Sequence, residues 1–185
     1  MVVGAMQSTV VVGVDGSAAS DAAIRWAAHE AGMRGLPINL INVVAPTMLS
    51  SAMAPNDTIT QAQLDQARQI IDRARHVVDE LPGEKPRDIH AEIRYAGVVP
   101  TLVDASSDAL MTVVGRSGRG AWSQDVLGSV TSGLLHRAHS VVAVAHAPEP
   151  AHREIREDAP IHVGVDGSAA SEAAVALAFD EALHR

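Results

Sequence analysis

The chain has 185 residues, 47% of them apolar but only 2% aromatic, so a core is available and must be filled by Val, Ile, Leu and Ala. Its formal net charge of −8 argues against a general nucleic-acid binder and against an anionic membrane surface as partner, both of which call for a basic patch. The absence of cysteine excludes a disulfide framework and thiolate zinc sites, and it fits a reducing compartment.

No Lys or Arg precedes the short apolar run within Met1–Val14. That run reads as the approach to a first strand rather than as a signal or a membrane span. No other stretch is long enough for a transmembrane helix, so a soluble, cytoplasmic protein is expected.

Thr9–Val14 is a continuous β-branched run and predicts a buried strand. Ala18–Met33 predicts a helix, with Ala22, Ala23, Trp26, Ala27 and Glu30 at helical spacing and Ser17 as its N-cap. Ile38–Val44 predicts a second strand. Thr58–Leu81 predicts a long helix with Leu64, Ala67, Ile71, Ala74 and Val78 on one stripe. Then follow a strand at Ile89–Tyr95, a short helix at Val99–Ser107, a strand at Leu110–Val114, a helix at Ser129–Arg137 and a strand at Ser140–Ala145. Alternating elements with continuously apolar strands predict an α/β fold, an open doubly wound parallel five-stranded sheet with helices on both faces. Ligands of such sheets sit at the carboxyl ends of the strands, where strand order reverses.

The sequence also repeats itself. Residues 12–31 and 163–182 share 14 identities in 20 positions at an offset of 151. This predicts a duplicated unit whose second copy holds a strand at Ile161–Val165 and a helix at Ala169–Leu183. The predicted layout is a nucleotide-binding domain over 1–146, a Pro-rich and charged linker over 147–160, and a truncated second repeat over 161–185.

Two segments carry chemistry. Val113–Thr131 reads VVGRSGRGAWSQDVLGSVT, placing Gly115 and Gly118 after a strand and Gly128 and Ser129 at the start of a helix. Such glycines permit close approach of a ligand and positive φ, and the helix start offers free amides to phosphate. Ser129, Thr131 and Ser132 offer hydroxyls, and Arg116 and Arg119 offer charge-assisted contacts. The same glycines also serve simply to make a tight turn and begin a helix, and spacing alone leaves both readings open. Neither a Walker A loop nor GxGxxG is present. At the end of the first strand, GVDGS puts Asp15 on the ligand-binding edge, where a carboxylate either meets ribose hydroxyls and a divalent ion or closes a turn.

These segments resemble the universal stress protein family. The likeness lies in VVGVDGS at the first strand, LINVVAP at the second, and GRSGRGAWSQDVLGSVTSGLLHRAHSVVAVAH between the fourth and fifth. It implies a sheet of order 3-2-1-4-5 with ATP in the crevice, carrying Mg²⁺ or Mn²⁺ on its phosphates. Asp15 would then face ribose and phosphates, and Val43 would meet adenine through its backbone. Gly115, Gly118, Gly128, Ser129 and Val130 would line the phosphate path. The resemblance also implies homodimers through the fifth strand and an ATP-binding regulatory role in stress response.

An ATPase or a nucleotide-transferring enzyme on the same fold is the alternative. Near the phosphates the sequence offers only Asp15 and Asp125 as bases, so at most weak hydrolysis is expected. None of the nine histidines is spaced as a metal ligand, and His136 and His139 read as capping residues near a helix end. Trp26 reads as packing. Trp122 packs on either a neighbour or a nucleotide.

Overall fold

A computed structural model of the chain describes residues 9–45, 57–118, 127–146 and 159–184. The chain divides into two units, residues 1–148 and 149–185. In the first, strands and helices alternate: β1 (Thr9–Gly13), α1 (Ala18–Met33), β2 (Ile38–Val44), α2 (Asp57–Glu80), β3 (Ile89–Tyr95), α3 (Val98–Ala105), β4 (Ala109–Gly115), α4 (Ser129–Arg137) and β5 (Val141–Ala145). All strand pairs are parallel, and the sheet runs β3-β2-β1-β4-β5.

The apolar run of β1 explains its central place. Val10 and Val12 enter one core layer and Val11 the other, so neither face tolerates a polar residue. On one face the Ala-rich side of α1 (Ala23, Ala27, Ala31) and the stripe Ala67–Ile71–Ala74–Val78 of α2 cover the sheet. On the other face Leu102 of α3 and Leu134 of α4 close over Val11, Ile41 and Val114. Trp26 packs against the first layer, partly buried. Glu30, on the same stripe of α1, is 1% exposed and is paired with Arg34 one turn on.

Several boundaries differ from the sequence reading in ways that matter locally. β1 ends at Gly13, so Asp15 stands in the turn beyond the strand. β4 runs through Gly115, which is therefore the last strand residue rather than the first of the loop. The short third helix stops at Ala105 and tightens into a 3₁₀ turn over Ser106–Asp108. Ser140 precedes β5; its hydroxyl lies 2.9 Å from that of the buried Thr112.

In the second unit α5 (Ala169–His184) forms, but the predicted strand at Ile161–Val165 does not. The segment has no ladder partner among the described residues of its unit, and a lone strand gains none of the pairing that would fix it. Its Val165 is 65% exposed, as are Phe179 (70%) and Leu183 (84%) of α5.

Candidate functional site

The strand order reverses beside β1, which has β2 on one side and β4 on the other. At their carboxyl ends lies a crevice of about 580 Å³, within the usual span of small-molecule sites. Three segments supply most of its lining: the turn after β1, the end of β2, and the two ends of the glycine-bearing loop.

The turn after β1 is built by its own residues. Gly16 sits at φ +79, a region that favours glycine. The Ser17 amide donates to Asp15 Oδ1 at 2.9 Å, and Ser17 Oγ caps α1 by accepting from the Ser20 amide at 3.1 Å. The Asp15 amide in turn donates to Ser20 Oγ at 3.2 Å. Asp15 is thus a turn residue that also forms part of the crevice wall. The Asn42 carboxamide donates to the Val14 carbonyl at 2.7 Å and ties the turn to β2.

The loop flanks are tied to each other. The Gly128 amide donates to the Arg116 carbonyl (2.9 Å), the Arg116 amide to the Ala145 carbonyl (2.8 Å), and the Thr131 hydroxyl to the Gly115 carbonyl (2.9 Å). This brings Gly128 and the start of α4 against Gly115–Gly118. Gly128 caps α4 without a side-chain bond, and Ser129, Val130 and Thr131, whose first-turn amides have no intrahelical partner, line the crevice. Arg119, Trp122 and Asp125 lie outside the described residues.

The glycines do different jobs, and positive φ is not one of them at Gly115, Gly118 or Gly128. A Cβ on Gly115 would lie 2.7 Å from the Ala19 carbonyl carbon, so this glycine admits α1 onto β4. A Cβ on Gly118 would lie 2.8 Å from Asp15 Oδ2, so this glycine lets the loop close onto the carboxylate. Of the expected site residues, Asp15, Val43, Gly115, Gly118, Gly128, Ser129 and Val130 all line the crevice. Arg116 does not line it; its backbone joins β5 to α4. The Thr131 hydroxyl is committed to a carbonyl, and Ser132 is outside the lining. His136 does act at a helix end, with Nδ1 2.8 Å from the Ser132 carbonyl.

The sequence reading missed a fourth wall. Gln63, Gln66, Ala67 and Ile70 of α2 line the crevice, with Ile70 Cγ1 3.1 Å from the Cβ position of Gly16. Their i, i+3, i+4, i+7 spacing was visible, but two glutamines beside an apolar stripe look like a solvated face.

Asp15 is the one charged side chain among the described lining residues. Its carboxylate and the hydroxyls of Ser117 and Ser129 are oxygen donors of the kind a hard divalent cation accepts. Among the described residues no group of three or more His, Cys, Asp or Glu is placed to hold a metal by itself. No described helix is long and apolar enough to cross a membrane.

The profile of the Universal stress protein family matches residues 6–146. The chain belongs to the universal stress protein family. It is 44% identical over 185 residues to a universal stress protein of Mycobacterium tuberculosis strain H37Rv, covering 95% of this chain and 60% of that one. It is 43% identical over 187 residues to one from Mycolicibacterium smegmatis, covering 100% and 63%. The chain thus spans about three fifths of the length of these curated relatives. The solved universal stress protein UspA of Lactobacillus plantarum has the same fold, with a TM-score of 0.64 at 20% identity, covering 75% of this chain and 97% of that one. A universal stress protein solved in complex with cAMP gives 0.58 at 23% identity (76% and 98%). One from Arabidopsis thaliana with AMP bound gives 0.53 at 16% identity (76% and 92%).

Proposed function

We propose that the first unit of this universal stress protein binds ATP, carried with Mg²⁺ or Mn²⁺, and that occupancy switches a conformational or dimer state in a stress response. The observation that carries this is the meeting of Asp15, Gly118 and the open first turn of α4 in one crevice where strand order reverses. Such a site suits a nucleotide: amides and the helix N-terminus attract phosphate, the carboxylate meets ribose or cation, and the apolar end of β2 accepts a base. Solved relatives described with cAMP and AMP support an adenine nucleotide as the ligand class. With no Lys or Arg in the described lining, a divalent cation on the phosphates offsets the charge of Asp15.

The role is binding rather than turnover, because the described lining offers Asp15 as its one carboxylate and that side chain already holds the turn. The test is isothermal titration with ATP and Mg²⁺ on the unaltered chain and on Gly118→Val, with phosphate release followed in parallel. The variant pushes on the Asp15 carboxylate and is expected to lose binding with its circular dichroism unchanged. Unchanged affinity overturns the site, and release at an ordinary enzyme rate, on the order of 10 per second, overturns the binding role in favour of an ATPase.

A further inference from the structure

Accounting for each polar side chain of the crevice leaves one on the β2–α2 side without a task. Asn42 donates to the Val14 carbonyl, Thr131 to the Gly115 carbonyl, Ser17 accepts from the Ser20 amide of α1, and Ser20 accepts from the Asp15 amide. Ser117 and Ser129 stand on the loop side with the start of α4. Gln66 has a partner of its own. Gln63 remains, partly buried in the lining and without a hydrogen-bond partner among the described residues.

Its position follows from helix geometry. Ile70 stands over the Gly16 turn. Gln63 is seven residues earlier, two turns or about 10 Å along the axis. A nucleotide with its phosphates at α4 and its ribose at Asp15 leaves its base for the region shared by the end of β2 and the start of α2. The apolar lining groups at the end of β2 and on α3 are Ile41, Val43, Val44, Ala45, Val98 and Leu102, which offer contact to a ring and only backbone atoms to its edge.

We infer that Gln63 is the base-reading side chain of the crevice and selects adenine over guanine. The inference rests on the nucleotide reading above. A carboxamide presents a donor beside an acceptor and pairs with the N7 acceptor and N6 amine of adenine, whereas guanine offers two acceptors, N7 and O6, on that edge. Leu102, Val43 and Val98 supply the apolar contact, and Gln63 supplies the choice.

The experiment is titration of the full chain with ATP and with GTP, each with Mg²⁺, for the unaltered protein, Gln63→Leu and Gln63→Glu. Both substitutions keep a good helix former at a partly exposed position, and matching thermal unfolding curves verify the fold. Gln63→Leu is expected to weaken ATP about tenfold while changing GTP little, so the preference for ATP shrinks. Gln63→Glu, which accepts but cannot donate to N7, is expected to weaken ATP as well. Unchanged ATP affinity in Gln63→Leu overturns the assignment, as does an equal loss for both nucleotides, the signature of a merely structural residue. Failure of the unaltered chain to bind either nucleotide overturns the crevice reading and this one with it, and is distinct from the other outcomes because no substitution is involved.

Discussion

An added methyl group at Gly115 would meet the Ala19 carbonyl carbon at 2.7 Å and its oxygen at 2.8 Å, and neither backbone atom can step aside without moving α1. The same group at Gly118 would meet the tip of the Asp15 side chain, which can rotate. Gly115→Ala is therefore expected to cost about 1–3 kcal/mol of stability, the usual range for overpacking a filled site. Gly118→Ala should cost far less, since the backbone there needs no positive φ. Urea unfolding of the two variants side by side checks this, and equal midpoints would show that α1 does not seat on Gly115. Three residues apart in one motif, one glycine supports the fold and the other shapes the site. Spacing alone could not separate them, because the atom that crowds Gly115 belongs to Ala19, nearly a hundred positions away.

At the scale of elements, what was legible is what neighbouring residues determine. The turn Asp15–Gly16–Ser17 and its repeat Asp166–Gly167–Ser168 have the same bonds: an Asp Oδ1 to Ser amide contact of 2.9 Å in both, caps of 3.1 and 3.2 Å, and glycine φ of +79 and +82. In the second copy the Asp166 carboxyl is held below its usual range by hydrogen bonds from the Ser168 hydroxyl first, then the Ser168 amide and the Ser171 side chain. The helices that follow both have 16 residues. The strand before the turn differs: it forms in the sheet of the first unit and not in the second, because a strand depends on distant partners. The α2 wall of the crevice was missed for the same reason, since only packing reveals which edge of the helix faces a ligand. β5 raises the converse case, a strand with one side of its ladder open at the sheet edge and Val141 38% exposed. Pairing of two β5 edges about a two-fold axis would satisfy those backbone groups and make a homodimer. Light scattering at micromolar concentration is expected to give a dimer mass, and Val141→Lys, which charges the edge, is expected to shift it toward monomer with ATP affinity retained. A monomer in the unaltered chain removes the dimer.

At the scale of the whole molecule, the two copies of the repeat are unequal in what they bring to a nucleotide. Both carry the Asp–Gly–Ser turn. Only the first is accompanied in its own unit by β4, the Gly115–Gly118 segment and the start of α4, a helix N-terminus of the kind that suits phosphate. In the 185 residues the G-x2-G-x9-G-S spacing occurs once, at 115–129. The Asp166 turn is thus followed by no second loop of that spacing within the 185 residues. Saturating titration of this chain is expected to give about one ATP per chain, the single-site value that follows from one complete crevice. Removing residues 149–185 should leave that affinity nearly unchanged, since every described residue of the crevice lies between Gly13 and Thr131. Two equivalents per chain would mean that the second turn finds phosphate donors elsewhere. Lost binding on truncation, with the dichroism of the first unit preserved, would mean that the second unit completes the first site. Either result would replace the one-site assignment with a shared one.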